Sequence, residues 1–390
     1  MPGVTLISNE PRDYDWGTPG GISRLFGRPA TATPEAELWL GSHPGSPSRS
    51  VQPDAPWQDL QQWEEQSGQR LPYLLKVLSA AAPLSLQAHP DEEQARHGYA
   101  REDASGLPRT HPRRNYRDPF AKPELIVALS DGFQALCGFR DVSETIAAVD
   151  LLTAWGCGPE VLTLRNTLAQ ADPLRCALGW LLSGDGEAHR LAQDLTRLSL
   201  ANPGLLPVLA RLAKTYPGDP GVAVALLLNH VVLRAGEALW LPAGNVHAYL
   251  HGTGVELMGP SDNVLRGGLT RKHIDVAELQ RVVSFDPAPA SRLIPERLSP
   301  DVVTYRPSSL ESGADVGFQL LSATGSATLA LGSPTVALCV SGSFRLASAT
   351  AATELSVGDA ALVDSPGRIL VEGSGQLFLA VGDAMDPTGP

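Results

Sequence analysis

The sequence predicts a mainly β protein that is interrupted by an α-helical insertion and ends in a second, smaller β-domain. Short apolar runs with an alternating pattern, separated by Gly and Pro turns, fill the first 140 residues and return after residue 217. Between them, leucines and alanines recur at helical spacing. Because 390 residues exceed one ordinary core, two or three domains are expected, and the change of pattern along the chain favours three. They are a β-barrel of residues 1–140 plus 217–300, a helical insertion of 141–216 and a C-terminal β-domain of 301–390.

The early strands are predicted at Glu37–Leu40, Leu71–Leu78 and Leu125–Leu129, between dense Gly and Pro turn signals. Lys76 interrupts the second of these apolar runs. A lysine in a buried strand is costly unless its ammonium reaches a pocket or an acidic partner. The alternative is a lysine at a strand edge, whose ammonium extends into solvent. Both alternatives are open from the sequence.

A further strand, from Leu84 to His89, carries polar chemistry on one face. Apolar residues alternate there with Ser85, Gln87 and His89, which is the period of a strand with two different faces. A hydroxyl, an amide and an imidazole do not pack a core cheaply. Pro90 ends the strand because it cannot donate to a ladder. Gln87 and His89 point the same way, so together they can bind one ion.

The helical insertion is followed by a return of the β pattern and by the C-terminal strands. Helices are expected at 143–155, 159–170, 173–183, 186–198 and 204–215. The proline-rich segment 285–307 is interpreted as a linker between domains. Residues 315–381 contain short alternating strands with regular turns, typical of a small barrel or sandwich. The last histidine is His273, so no imidazole metal site is expected in this C-terminal domain.

Charge and cysteine usage exclude several classes of function. The formal net charge of −12 argues against a nucleic-acid binder, although local lysines and arginines can still form a pocket for a small anion. The four cysteines show no paired spacing, so neither a disulfide framework nor a cysteine zinc site is expected. Residues 1–10 lack a basic region followed by an apolar run, and no run is long enough for a membrane span. We expect a cytoplasmic protein without a nucleic-acid or membrane partner.

Two further segments offer metal ligands. The spacing Gly236, Pro242, Gly244 and His247 matches the second conserved box of the cupin β-barrels, and Tyr249 shares the face of His247. Lys122-Pro123-Glu124 again sets two polar side chains two residues apart. A lone strand histidine is more often a hydrogen-bonded core or surface residue. Taken together, the four candidate ligands are an N2O2 set suited to Zn²⁺ or a similar divalent ion. They are Gln87, His89, Glu124 and His247.

A series of motifs in order along the chain resembles the type I mannose-6-phosphate isomerases, also called phosphomannose isomerases. The motifs are YDWG at 14–17, ELWLGSHP at 37–44, LPYLLKVLSAAAPLSLQAHPD at 71–91, DPFAKPE at 118–124, GEALWLPAGNVHAYLHG at 236–252 and VELMGPSDNVLRGGLTRKHIDV at 255–276. The resemblance covers nearly the whole chain. It implies a cupin jelly-roll barrel, a helical domain and a smaller jelly-roll-like C-terminal domain. It also implies one Zn²⁺ per subunit, a monomer, and interconversion of D-mannose 6-phosphate and D-fructose 6-phosphate.

The resemblance assigns roles to individual positions. The family's zinc ligands correspond to the four candidate ligands, and its catalytic arginine corresponds to Arg266. The remaining pocket positions are Lys76, Ser85, Lys122, Tyr249, Glu256 and Asp262, and Trp16 is a further candidate substrate contact. An aldose–ketose conversion moves a proton between C1 and C2 through an enediol. A metal ion can polarise the sugar oxygens and Arg266 can stabilise the enediolate.

The group that moves the proton stays open, and a relay of Glu256, Lys122 and Asp262 is our prediction. The phosphate needs positive charge and hydroxyl donors, which we expect Lys76 and Ser85 to supply from one wall. Two positions depart from the family pattern. Ala121 replaces a histidine that many members have before KPE, and Thr270-Arg271-Lys272 replaces their TPK. Two alternatives are a metal-binding cupin that binds a sugar phosphate without turnover and an iron-dependent cupin dioxygenase.

Overall fold

The computed structural model describes residues 3–310 and 316–382, so residues 311–315 and 383–390 of the predicted C-terminal domain lie outside the described residues. The fold is mostly β with helices. Most strands belong to two ten-stranded sheets. None of the described helices is both long and apolar enough to cross a bilayer.

The N-terminal part of the chain alternates short strands with three helices. The strands are β1 (Val4–Ser8), β2 (Thr18–Pro19), β3 (Pro34–Glu35), β4 (Glu37–Leu40), β5 (Arg49–Ser50), β6 (Leu74–Ala80), β7 (Leu86–Ala88), β8 (Glu124–Ala128) and β9 (Phe133–Phe139). The helices are α1 (Gly21–Leu25), α2 (Leu60–Ser67) and α3 (Glu92–Ala104). A capping box begins α3. The Asp91 carboxylate accepts from the Gln94 backbone N–H, and the Gln94 side-chain oxygen accepts from the Asp91 backbone N–H. The predicted strand at Glu37–Leu40 is confirmed.

The helical region follows, and its helices confirm the periodicity of the sequence. They are α4 (Val142–Ala154), α5 (Glu160–Thr167), α6 (Pro173–Leu182), α7 (Gly186–Ala201), α8 (Pro207–Thr215) and α9 (Pro220–Val224), with a 3-10 turn at Ala225–Leu227. Proline at the first helical position begins three of them, where a missing N–H costs nothing. Their buried leucines share one core with Leu86, Ala88 and Leu265, so the helices pack directly on strands that carry the motifs.

The chain then returns to the sheet of β6–β9. The elements are β10 (Leu228–Leu233), β11 (Ala238–Leu241), β12 (His247–Met258), β13 (Leu265–Gly268) and α10 (Val276–Val282). The long strand β12 organises this sheet. Its first half pairs with β9 and β7, and its second half pairs with β6 and β8. Several of the sequence motifs therefore meet along one strand.

The second ten-stranded sheet belongs mainly to the C-terminal part. Its late strands are β15 (Glu296–Ser299), β16 (Val302–Tyr305), β17 (Phe318–Ala323), β18 (Ala327–Leu331), β19 (Thr335–Ala347), β20 (Ala352–Ser356), β21 (Ala360–Val363) and β22 (Gly367–Gly382), while β14 (Arg292–Leu293) pairs with β11 and a 3-10 turn spans Pro307–Ser309. The N-terminal strand β1, which the sequence analysis assigns to the first barrel, pairs instead with β21, and β5 joins it there. The first strand of the chain is thus held by one of the last.

Two C-terminal strands are longer than the sequence predicts. The apolar runs near residues 336 and 344 belong to one strand, β19, and the runs near 369 and 377 belong to β22. The prediction of separate short strands was wrong because glycine bends these strands without ending them. Gly342 has φ +74°, and a Cβ there would collide with the Ser374 carbonyl oxygen across the pair.

Candidate metal centre and active site

One row of cross-strand neighbours brings three motifs together. His247 on β12 lies opposite Gln87 on β7, and Gln87 lies opposite Arg266 on β13. Residues directly opposite each other on paired strands point to the same face of the sheet. A predicted metal ligand from each of two motifs and the predicted catalytic arginine therefore share one surface.

A second row lies on the other half of β12. Trp39 on β4 lies opposite Lys76 on β6, and Lys76 lies opposite Glu256 on β12. The Lys76 ammonium is buried and lies 3.5 Å from a Glu256 oxygen and 3.6 Å from a Glu37 oxygen. Lys76 thus meets the condition for a lysine inside a strand, since two carboxylates compensate its charge.

Three buried side chains form a cluster that fits a metal ion. The ligand atoms of His89, Glu124 and His247 all lie within 4.8 Å of one another. The Nε2 atoms of the two histidines are 3.3 and 3.2 Å from the two Glu124 carboxylate oxygens. Both Nε2 atoms and one Glu124 oxygen are buried without a hydrogen-bond partner. Buried polar atoms are rarely left unpaired, so these orphaned atoms fit a bound cation.

The tautomer of each imidazole explains why these contacts are not ion pairs. The His89 Nδ1 is 2.6 Å from the Asn263 carbonyl oxygen, and the His247 Nδ1 is 3.1 Å from the Asn245 carbonyl oxygen. A carbonyl only accepts, so each Nδ1 carries the proton and each Nε2 presents a lone pair. Burial, followed by the charge of Lys122, lowers the pKa of His89 to about 4, so this ring is neutral.

Glu124 supplies the charge of the cluster. Burial alone would raise its pKa, but the Lys122 ammonium at 3.0 Å holds that pKa well below its usual range. Gln87 lines the cavity beside this cluster. Two neutral imidazoles, one carboxylate and one amide suit Zn²⁺ as ligands.

The cluster opens onto a cavity of about 350 Å³. Ten of the twelve predicted site residues line it. The other two, His89 and His247, contact Glu124, which is one of the lining residues. The ten are Trp16, Lys76, Ser85, Gln87, Lys122, Glu124, Tyr249, Glu256, Asp262 and Arg266. Ala121, which replaces a family histidine, is not among the lining residues, so this position does not contribute to the described cavity wall.

Three acid–base groups meet in the cavity. Burial, and then the charge of Glu124, raises the pKa of Glu256 to about 7, and the Tyr249 hydroxyl donates to its Oε1 at 2.9 Å. The charge of Lys122 acts on both Glu256 and Asp262. A hydrogen bond from His43 is the largest cause that lowers the pKa of Asp262. The charge of Lys122 therefore lowers the pKa of both a buried carboxyl group, Glu256, and an exposed one, Asp262.

Positive charge is concentrated in the part of the cavity around Arg266. Burial and the neighbouring Arg117 lower the pKa of Arg266, and burial, Arg266 and Arg117 lower the pKa of Lys272. Within residues 3–310 and 316–382, neither Arg266 nor Lys272 has an acidic partner within ion-pair distance. This cation cluster of Arg266, Lys272 and Arg117 is suited to an anion.

The sequence did not single out several cavity residues. They are Tyr14, Trp39, Leu78, Leu84, Tyr216 and Leu269. Glu37 was noted only as a motif position, and Thr270 and Lys272 only as part of a departure from the family pattern. A signal for Lys272 was present, since Arg266, Arg271 and Lys272 put three cations within seven residues. The loop's direction, which decides which of them reaches the cavity, has no such signal.

Comparison with known proteins agrees with this geometry. Residues 4–142 match the family model for the catalytic domain of type I phosphomannose isomerase. Mannose-6-phosphate isomerase of Escherichia coli K12 is 33% identical over 95% of this chain and 97% of its own length. The chain belongs to the type I mannose-6-phosphate isomerase family.

Relatives and solved structures extend across the family. The human mannose-6-phosphate isomerase is 32% identical over 74% of each chain. The crystal structure of a variant phosphomannose isomerase from Salmonella typhimurium has a TM-score of 0.87 and 30% identity, covering 97% of this chain and 99% of that one. A zinc-bound mannose 6-phosphate isomerase structure has a TM-score of 0.86 and 31% identity over the same shares. The presence of zinc in that relative agrees with the donor set of the His89–Glu124–His247 cluster in this chain.

Proposed function

We propose that the chain interconverts D-mannose 6-phosphate and D-fructose 6-phosphate as a zinc-dependent aldose–ketose isomerase. The observation that carries this function is the row His247–Gln87–Arg266, which faces one cavity with the His89–Glu124–His247 cluster. Membership of the mannose-6-phosphate isomerase family supports the substrate. A metal-binding protein without turnover would not need the proton-transfer groups Glu256 and Lys122 beside the metal cluster.

Gln87, His89, Glu124 and His247 are the proposed zinc ligands. The orphaned Nε2 atoms and Glu124 oxygen support this set, and the neutral nitrogen donors suit zinc better than a harder ion. When bound, zinc supplies a Lewis acid that polarises the oxygens on C1 and C2. The hydrogen bonds from Nδ1 to the Asn263 and Asn245 carbonyls keep both rings in the ligating tautomer.

Glu256 is the proposed group that takes the proton from one carbon and returns it to the other. Its pKa of about 7 leaves both protonation states accessible, as a proton carrier requires. Tyr249 fixes the carboxyl by its hydrogen bond, and Lys76 holds the other oxygen at 3.5 Å. Lys122 and Asp262 continue the relay toward solvent, because Asp262 is more exposed than the other two groups.

Arg266 and Lys272 are the proposed binding groups for charge on the substrate. Arg266 is opposite Gln87 on the sheet, so it can stabilise the enediolate beside the metal ligands. Lys272, Thr270 and Ser85 line the cavity and supply an ammonium and two hydroxyls for the phosphate. Lys76, which the sequence analysis assigned to the phosphate, is a proposed contact of the sugar instead, because Glu37 and Glu256 already neutralise its charge. Trp16 supplies an aromatic wall to the same sugar.

The architecture that we propose for this activity is a cupin jelly-roll barrel of residues 1–140 plus 217–300, with a helical domain at 141–216 and a jelly-roll-like domain at 301–390. Strands β1 and β5 are exceptions, because they join the C-terminal sheet. The pairing of β12 with strands on both sides supports the barrel. We further propose a cytoplasmic monomer, which the net charge of −12 and the unpaired cysteines support.

A coupled assay of the purified, zinc-loaded chain tests the function. We expect fructose 6-phosphate to appear from mannose 6-phosphate, and turnover to disappear on chelation and return with zinc. Tight binding of mannose 6-phosphate without turnover, in a folded sample with one zinc per chain, would contradict the proposal and favour a binding protein. Iron as the main metal on elemental analysis would favour an oxygenase.

A further inference from the structure

The helical region rejoins the sheet through a segment that contacts the active-site cavity. This segment, Tyr216–Gly221, begins after α8 and enters α9. Tyr216 lines the cavity, and its hydroxyl donates to the Pro83 carbonyl at 3.1 Å, two residues before Ser85. The same segment carries Asp219, whose side chain reaches the loop that follows β13. One short connection thus touches two walls of the cavity.

Asp219 accepts three backbone hydrogen bonds. Its Oδ1 accepts from Gly221 N and Leu269 N, each at 2.7 Å, and its Oδ2 accepts from Thr270 N at 3.2 Å. The bond from Gly221 is an ordinary N-cap of α9. The bonds from Leu269 and Thr270 are not, because they cross from the helical region to residues that line the cavity.

The loop that Asp219 holds has a strained backbone. Leu269 has φ +53°, and it is the one non-glycine residue with a left-handed backbone in the part of the chain that the structure describes. Such a conformation is unfavourable for a residue with a side chain, so the surrounding structure must hold it in place. Next to it, a Cβ at Gly268 would lie 2.5 Å from the Gly221 Cα, so loop and helix are in close backbone contact. The strained residue, Leu269, and the next residue, Thr270, donate the two hydrogen bonds from this loop to Asp219.

We propose that Asp219 is a positioning residue for substrate binding: it holds the left-handed turn at Leu269, so that Thr270 and Lys272 face the phosphate while Arg266 faces the sugar. The Lys272 amide donates in turn to the Thr270 hydroxyl at 3.1 Å, so the orientation of Thr270 is passed to the next cation. The role rests on the proposed function, since it assumes the phosphate at this end. It gives the helical region a part in substrate recognition.

The test is Asp219→Asn in the full-length, zinc-loaded chain. The amide keeps one oxygen for Gly221 and Leu269 but presents an N–H to the Thr270 amide, which cannot accept it. We expect the KM for mannose 6-phosphate and the inhibition constant of inorganic phosphate to rise together by about tenfold, the equivalent of one charge-assisted hydrogen bond. The kcat and the zinc content stay close to wild type.

Asp185→Asn is the matched control. Asp185 caps α7 in the same way, accepting from Glu187 N and Ala188 N, but it does not line the cavity. We expect it to leave KM and phosphate inhibition unchanged. Asp219→Ser is the second variant if Asp219→Asn does not fold, because serine retains an N-cap oxygen but is too short to reach Thr270.

The outcomes separate the role of Asp219 from the isomerase function. An unchanged KM and phosphate inhibition constant in the Asp219 variants, or a loss of kcat and zinc with KM unchanged, overturns the positioning role. A wild-type chain that binds inorganic phosphate in an Asp219-dependent way but does not isomerise mannose 6-phosphate retains the positioning role and overturns the proposed function.

Discussion

Two lysines of the same cavity, Lys76 and Lys272, lie in opposite electrostatic surroundings. Lys76 is 6% exposed and lies between two carboxylates. Burial alone would lower its pKa, but the charges of Glu37 and Glu256 raise that pKa above its ordinary value. Lys272 is mostly exposed, and its partial burial together with Arg266 and Arg117 lowers its pKa. The pairing of a cation, more than its presence, decides which part of a substrate it can serve.

The part of the cavity around Lys76, called the paired end, is proposed for proton transfer, and the part around Lys272, called the unpaired end, is proposed for anion binding. A lysine that already neutralises two carboxylates adds little attraction for a dianion, but it fixes those carboxylates and tunes their protonation. Unpaired cations gain most of their stabilisation when the substrate arrives. Substitutions at the two ends should therefore fail in different ways, and the following experiments test that difference.

The largest effect is expected at the paired end from Glu256→Gln. Burial and the charge of Glu124 raise the pKa of Glu256 to about 7, and the group removes a proton only as the carboxylate. Wild-type activity should therefore fall as the pH drops through about 7. The kcat of the variant should fall about 10³-fold, which is within the range of general acid–base catalysis. The residual activity of the variant should not show the fall below about pH 7, which is the acid limb of the wild-type pH profile. A limb that persists in the variant would assign it to another group.

Arg266→Ala should have the next largest effect. Loss of a fixed donor to a developing oxyanion lowers kcat by about 10²–10³-fold, while zinc stays bound because Arg266 is not a ligand. Arg271→Ala is the matched control, since Arg271 is exposed in the same loop and does not line the cavity. Steady-state kinetics and elemental analysis measure both variants. Equal losses in the two variants would show that the loop's net charge matters, and not the position of Arg266.

The same substitution at the two lysines compares the ends directly. Lys76→Met leaves Glu37 and Glu256 buried without their cation, so the free energy of unfolding should fall by about 3–5 kcal/mol. Lys272→Met breaks no described ion pair and should change it by less than about 0.5 kcal/mol, while raising the KM for mannose 6-phosphate about tenfold. Denaturant unfolding at pH 8 and steady-state kinetics give the two readouts. A similar loss of stability in both variants would contradict the contrast.

The smallest effect is expected from salt. Exposed cations at the rim attract a dianion through solvent, so the kcat/KM of the wild type should fall about threefold between low and physiological ionic strength. Lys272→Met should show a shallower dependence, because it removes one of these exposed charges. Identical salt slopes for the two proteins would place the attraction elsewhere on the surface.

The metal cluster could be predicted from the sequence, whereas the proposed anion-binding group around Lys272 could not. His89, Glu124 and His247 occur in strand motifs whose alternation and turn residues already indicate direction, and the structure brings them together. Thr270 and Lys272 lie in a loop whose course depends on a left-handed Leu269 and on a carboxylate fifty residues earlier. No local pattern encodes that contact, because a hydrogen bond between a carboxylate and a distant backbone amide leaves no periodicity.

The same physical reason separates the correct and incorrect parts of the fold prediction. The helices between residues 141 and 216 were predicted because leucine spacing is a local property. The placement of β1 in the first barrel was wrong because strand pairing joins residues far apart in sequence. The predicted length of β19 was wrong because a glycine between two apolar runs usually marks a turn, whereas Gly342 bends the strand without ending it.

The pairing of β1 with β21 has a consequence for how the chain is made. Strand β1 pairs with Ala360–Val363 along Val4–Ile7, and β5 pairs only with its last two residues, Ile7 and Ser8. At about 5–20 residues per second on a ribosome, the first strand waits tens of seconds before that partner has been synthesised. Tyr73 waits as well, since its hydroxyl donates to the Ala380 carbonyl at 2.6 Å. Residues 360–380 therefore complete the pairing of segments near the start of the chain. A nascent chain released before residue 360 leaves most of β1 without a partner strand.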